Sequence, residues 1–207
     1  MKNILIILGH PVKDTFSDLL REAYTKGALA SGASIRELDL RKLKFDLNFT
    51  QGYRGNQELE PDLQQAQEDI KWANHLVFIY PNWWSTFPAL MKGFIDRTFL
   101  PGFAFKYHQG SLLWDKLLKG RSARLIVTMD TPPWYYWLVY RRPGHNAMKR
   151  GILGFCGIRP VKTTTIGAVK TSSEKKRQQW IASVEKLGRK MISLKTTPVF
   201  IKFGRCF

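Results

Sequence analysis

Asn3–Gly9 reads N-I-L-I-I-L-G. The run is continuously apolar and rich in β-formers, without alternation. It therefore reads as a strand buried on both faces, the habit of a parallel sheet. Outward from it, a polar loop at His10–Thr15 leads into Phe16–Ala30. There Phe16, Leu19, Leu20, Ala23 and Tyr24 recur at helical spacing before Gly32. Ser34–Leu40 alternates and reads as a second strand. Arg41–Glu60 is polar and glycine-bearing, an excursion rather than an element. Pro61–Ala73 is a helix with proline in its first turn. His75–Tyr80 (H-L-V-F-I-Y) is a third strand, stopped by Pro81. Pro88 opens a helix that runs to Phe99, and Pro101–Leu118 is irregular and aromatic. Ala123–Met129 and Pro160–Val169 are further strands. Between them lie an aromatic loop, Asp130–Arg142, and a glycine-rich helix, Ala147–Gly157. Ser173–Lys190 is a last amphipathic helix.

Alternating strands and helices imply parallel strands, right-handed crossovers and helices on both faces of the sheet. Five strands suit an α/β, doubly wound, flavodoxin-like sheet of order 2-1-3-4-5. The expected organisation is one domain over residues 1–194 and a basic tail over 195–207.

The chain has 207 residues, of which 44% are hydrophobic and 24% charged, a folding composition for one domain. Lys and Arg exceed Asp and Glu by 33 to 16, a net charge of +17. The excess points to anionic partners, but the basic residues are scattered, so no nucleic-acid role is expected. No apolar run reaches the ~18 residues of a membrane span. Cys156 and Cys206 are the two cysteines and offer no metal-ligand spacing, so a reducing compartment and a cytoplasmic protein are expected. His10, His75, His108 and His145 match no metal motif, and no metal is expected.

In open α/β sheets ligands sit past the carboxyl ends of the strands, at the switch in strand order. Three segments leave strand ends there. G-H-P-V-K-D-T-F-S (Gly9–Ser17) runs into a helix, whose first N–H groups and dipole suit a phosphate or simply a cap. Neither a G-x-G-x-x-G turn nor a Walker loop is present. P-N-W-W-S-T-F-P-A (Pro81–Ala89) carries two adjacent tryptophans, of which at least one is expected to line a cleft. T-M-D-T-P-P-W-Y-Y-W-L-V-Y (Thr128–Tyr140) is aromatic enough for a ligand lid or an interface. Its tyrosines could share protons. Cys156, in G-I-L-G-F-C-G, reads as buried filler on a close-packed helix face.

At these residues the sequence resembles the flavodoxin-like NAD(P)H:quinone oxidoreductase family, the group of DT-diaphorase, modulator of drug activity and the potassium-efflux ancillary flavoproteins. The matching stretches are Gly9–Pro11 with Ser17, Ala73–Trp84, Pro88–Phe99, Gly102–Tyr107 and Gly151–Gly157. The resemblance implies a non-covalent flavin, FAD or alternatively FMN, reduced by NAD(P)H in a two-electron reduction of quinone-like acceptors. It implies that His10, Thr15, Phe16 and Ser17 hold the phosphate. It also implies that Pro81, Asn82, Trp83 and Trp84 run along the ring, and that backbone N–H groups of Thr128, Met129, Asp130 and Thr131 face its pyrimidine edge. Phe105 and Tyr107 match aromatics that close a site from a partner subunit, which implies a homodimer. Two departures stand out. Met129–Pro133 replaces two glycines of the animal members, and their proton-handling Tyr and His lack a counterpart at matching spacing. Tyr135 or Tyr136, with His145, take that place here. Asn48–Glu60, the excursion whose G-Y-R-G (Gly52–Gly55) has no family counterpart, and Lys175–Arg177 are expected to hold an adenylate, which favours FAD. A second reading is a regulatory flavoprotein that binds a membrane transporter, in peripheral membrane contact, with secondary reductase activity.

Overall fold

The computed structural model describes residues 2–55 and 57–190. The expected tail at 195–207, with Cys206, lies outside the described residues. A five-stranded parallel sheet forms from β1 (Asn3–Leu8), β2 (Ser34–Asp39), β3 (His75–Pro81), β6 (Ser122–Thr128) and β7 (Val161–Ile166). Its order is β2-β1-β3-β6-β7. The expected numbering 2-1-3-4-5 is corrected by two short strands within Pro101–Leu118, the stretch read as irregular. There β4 (Phe105–Tyr107) and β5 (Trp114–Lys116) pair antiparallel as a separate two-stranded sheet. At three residues each they are too brief to leave a periodic signal.

The apolar run at the start of the chain, β1, is the sheet's second strand from the edge, and Ile4–Leu8 are wholly buried. Even-numbered Ile4, Ile6 and Leu8 face one core, with Leu20, Tyr24, Val77, Ile79 and Ile126. Odd-numbered Leu5 and Ile7 face the other, with Phe78, Tyr80, Phe94, Leu125 and Val127. The first core is covered by α1 (Phe16–Leu29) and α6 (Glu174–Arg189), which pack together closely. A Cβ on Gly27 would collide with the Glu185 carbonyl, and one on Gly188 with the Tyr24 carbonyl. This glycine contact lets α6 lie against α1 and brings Arg177 beside the start of α1. The second core is covered by α2 (Pro61–Trp72) and α3 (Ala89–Thr98).

The aromatic loop contains a short helix, α4 (Pro133–Leu138), then α5 (Pro143–Asn146), which continues into a π-helical turn at Ala147–Leu153. The expected glycine face is absent from that turn. Gly151 is open on its Cβ side, and Gly157, at φ 96°, lies beyond the helix. Among the described residues no helix is long and apolar enough to cross a membrane.

Candidate functional site

Strand β1 pairs with β2 on one side and β3 on the other, so the chain leaves the sheet at a switch point where the β1 and β3 ends part. A cleft of about 250 Å³ opens there. It is lined by His10, Phe16 and Ser17 from the first loop and helix, by Pro81 at the end of β3 with Asn82 and Trp83 after it, and by Thr128 at the end of β6 with Met129 and Asp130 after it. Val169, past β7, completes the wall. Three residues expected in this group stand outside it. Thr15 is the cap of α1, Thr131 is half-buried beside the cleft, and Trp84 projects into solvent at 99% exposure with φ 49°.

The floor of the cleft is built for an anion. Thr15 caps α1, with its N–H and hydroxyl both donating to Asp18, at 2.9 and 2.7 Å. The Asp18 N–H returns to the Thr15 carbonyl at 3.0 Å. The N–H groups of Phe16 and Ser17, in the first turn, have no acceptor within the helix. Beside them the Ser17 hydroxyl is 1% exposed and has no hydrogen-bond partner. A buried hydroxyl left unpaired costs about 1–3 kcal/mol, so an acceptor arriving in this cleft repays a debt the fold carries. His10 Nδ1 accepts from the Val12 N–H at 3.1 Å, which leaves the proton of the neutral ring on Nε2. Burial pulls the His10 pKa down, against the opposing pull of Asp18. The ring stands edge-on to Trp83, with centroids 5.8 Å apart.

Arg41 holds this loop in shape, and sequence reading passed over it as one scattered cation. Its guanidinium donates to the Val12 carbonyl at 2.8 Å, to Asp18 at 2.7 Å and to Asp39 at 2.8 and 2.7 Å. Burial works to raise the Asp18 carboxyl, but the hydrogen bonds from Arg41 and Thr15 overcome it and hold the pKa at about 2. The D-L-R order at Asp39–Arg41 was a visible signal for the local pair. The reach back to Val12 depends on the pairing of β1 with β2.

The far wall is set by cross-strand bonds. The Asn82 N–H donates to the Thr128 carbonyl at 2.7 Å, and the Met129 N–H to Ile166 at 2.9 Å. Met129 therefore offers no free N–H to a ligand. No hydrogen bond among the described residues uses the N–H groups of Asp130 or Thr131. The Asp130 carboxylate accepts from the Lys170 N–H at 2.9 Å.

Tyr135, Tyr136 and His145 do not line this cleft. Tyr135 is exposed, edge-on to Trp134 and Tyr140. Tyr136 is buried, and its hydroxyl donates to the Ser85 carbonyl and accepts from the Gly144 N–H, both at 3.1 Å. It ties the aromatic segment to the Trp83–Ser85 turn. His145 lies 5.0 Å from the Tyr136 ring, and burial with nearby Arg142 lowers its pKa to about 4. Phe105 and Tyr107 line a different groove of about 500 Å³, with Tyr53, Phe155 and Cys156. Tyr53 of the Gly52–Gly55 stretch sits there, edge-on to Phe49 at 5.2 Å, and not near the α1 terminus. Burial raises the Cys156 thiol to about 12, in keeping with inert filler.

Comparison with known proteins bears on the fold. The family model described as flavodoxin-like fold matches residues 2–188. An uncharacterized NAD(P)H oxidoreductase of Haemophilus influenzae is 27% identical over 184 residues, covering 86% of this chain and 90% of that protein. NAD(P)H dehydrogenase [quinone] 1 of Cavia porcellus is 27% identical over 195 residues, covering 81% and 70%. The crystal structure of Smu.1420 from Streptococcus mutans superposes with a TM-score of 0.77 at 29% identity, covering 91% of this chain and all of that one.

Proposed function

The chain belongs to the flavodoxin-like NAD(P)H:quinone oxidoreductase family, and from that premise we propose that it binds a flavin without a covalent bond and reduces quinone-like acceptors with NAD(P)H. The observation that carries this reading is the buried, unpartnered Ser17 hydroxyl at the start of α1, facing the strand switch point. It fits a flavin's phosphate better than it fits an unliganded helix end, because a cap alone needs no further acceptor. When bound, a flavin supplies the chemistry of taking hydride from a nicotinamide and passing two electrons to an acceptor.

The residues have distinct tasks in this reading. Ser17, the first N–H groups of α1 and His10 Nε2–H hold the phosphoryl end. Thr15 and Asp18 set the helix end, and Arg41 fixes the loop above it. Pro81, Asn82 and Trp83 wall the ring on the β3 side, while Trp84, next in the chain, is exposed to solvent. The free N–H groups at Asp130 and Thr131 would offer hydrogen-bond donors to the pyrimidine edge of a bound flavin. Tyr135, exposed on the aromatic segment outside the cleft, is the residue this reading assigns to proton transfer. Tyr136 and His145 position that segment.

FAD is favoured by a second groove of about 380 Å³ that continues beyond Phe16, lined by Leu19, Ile181, Arg177, Asp14 and Glu174. Phe16 lines both this groove and the cleft. Apolar walls suit an adenine and the carboxylates suit ribose hydroxyls. Support for an adenylate now comes from Arg177 alone of the segments named in the sequence. A homodimer is supported by the Phe105–Tyr107 groove, where Tyr107 and Tyr53 are 56% and 70% exposed. Absorbance of the purified protein and the mass of the cofactor released by heat test the reading. A yellow protein releasing FAD is expected. Protein that stays colourless after reconstitution with either flavin sinks it, and an FMN mass removes the adenylate groove.

A further inference from the structure

Between Asp130 and Glu174 the chain has no acidic residue, yet it carries Arg141, Arg142, Lys149, Arg150, Arg159, Lys162 and Lys170. The structure gathers part of this stretch into one surface. On α4, Trp134, Trp137 and Leu138 share a face at helical spacing, and they are 63%, 52% and 56% exposed. Val139 and Tyr140 follow, also exposed, while Tyr136 points inward and anchors the segment. Beside this apolar ridge runs a groove of about 530 Å³, whose charged lining is Arg124, Arg142, Lys149, Arg150 and Lys162. No carboxylate lines it. Arg142 joins the two parts, because it lines the groove and its guanidinium sits 5.8 Å from the Trp137 ring. His145 also lines the groove. It is 6% exposed, and its Nε2 has no hydrogen-bond partner.

We propose that this ridge and groove dock the protein on the headgroup layer of an anionic phospholipid bilayer. Indole and phenol side chains settle at the boundary between headgroups and acyl chains, with the ring in the apolar zone and the polar edge in the wet one. Cations bordering such a ridge meet lipid phosphates, and their attraction adds to that of the buried rings. The same charges oppose the main rival occupant. A second copy of this chain applied to the same face would set arginines and lysines against their equivalents with no carboxylate between them. The ridge follows directly on the Thr128–Asp130 wall of the cleft, so a docked molecule would hold its entrance near the layer where apolar acceptors dissolve. The inference itself rests on the surface alone and does not need a flavin.

Sedimentation of the full chain with sucrose-loaded vesicles tests it, using phosphatidylcholine alone and phosphatidylcholine with about a third phosphatidylglycerol. Binding is expected to the mixed vesicles, weakened by salt and little changed by inorganic phosphate at millimolar concentration. Trp134→Ser with Trp137→Ser, and separately Lys149→Glu with Arg150→Glu, should each lower partitioning by about tenfold or more. Both variants leave residues 191–207 intact, so a loss of binding is assigned to this surface. Circular dichroism and the thermal midpoint confirm that each variant is folded. Three outcomes overturn the proposal: equal binding to both vesicle types, no binding to either, or binding that both variants retain. A sedimentation-velocity mass that drops from dimer to monomer in these variants also overturns it, because the face would then join two copies.

Discussion

The Arg41 guanidinium meets the Asp18 carboxylate at 2.7 Å while also donating to the Val12 carbonyl at 2.8 Å. One side chain from beyond β2 thus fixes both the loop that carries His10 and the helix that carries Ser17. Its side chain is 10% exposed, and the two carboxylates it serves, Asp18 and Asp39, are 15% and 18% exposed. Removing it strands two nearly buried charges. Arg41→Met is expected to cost about 3 kcal/mol in urea unfolding. The loss should depend on pH. The folded Asp18 pKa of about 2 lies below the unfolded value of about 3.9, so its contribution is full above the unfolded value and is lost as pH falls through the folded one. The gap in stability between wild type and variant should therefore narrow from about pH 5 to pH 2. A gap that stays constant over that range would show that Asp18 is not the partner that matters.

Ser17→Ala separates fold from site. The hydroxyl makes no bond within the protein and is buried, so its removal should leave the cofactor-free fold unchanged or up to about 1 kcal/mol more stable. A hydrogen bond to a charged phosphate is worth about 1.5–3 kcal/mol, so flavin retention should weaken by tenfold or more. The two measurements are a urea titration of the stripped protein and flavin fluorescence on dilution. Equal retention by variant and wild type would take Ser17 out of the site.

Much of this was legible in the sequence, for reasons visible at particular residues. Ile4–Leu8 announced a doubly buried strand because no polar residue interrupts it, and its place between β2 and β3 sets the switch point. His10, Pro81, Trp83 and Thr128 each end a strand or follow one closely, and Ser17 opens the helix after β1, so the sheet brings them to one end. Arg41 was opaque because, beyond the local pair with Asp39, its partner Val12 lies 29 residues away and is reached only after β1 pairs with β2. The hydrogen bonds of Tyr136 were hidden for a related reason. Composition shows a tyrosine among exposed aromatics, but the partners of its hydroxyl, Ser85 and Gly144, belong to other segments. The β4–β5 hairpin was hidden by its length, and α4 by an aromatic content that also suits a loop.

Tyr136→Phe decides between a proton-transfer role and a positioning role. The hydroxyl gives one hydrogen bond to Ser85 and takes one from Gly144, while the Gly144 N–H keeps a second acceptor in Ser85 at 2.9 Å. The net cost should be about 1 kcal/mol, a fall of roughly 2–4 °C in Tm for a domain of this size. The pH profile of quinone reduction should keep its shape. A changed profile at unaltered Tm would return Tyr136 to the chemistry and leave Tyr135 without a role.

Two buried histidines set the acid side of stability. Burial lowers His75, whose Nδ1 lies 2.8 Å from the Ser122 hydroxyl, to about 3. Burial and Arg142 lower His145 to about 4. Both values lie below the unfolded value of about 6.5, so the fold favours the neutral rings and the unfolded chain binds more protons in the interval between. Their contribution is complete above about pH 6.5 and drains away as pH falls toward 4, by up to about 1.4 kcal/mol per pH unit for each histidine. Urea midpoints taken across that interval should fall steadily in wild type. His145→Phe, which also removes an unpartnered buried nitrogen, should fall less steeply because one of the two titrating rings is gone. Parallel slopes in the two proteins would mean that His145 titrates alike in the folded and unfolded chain, and the burial described for it would then be wrong.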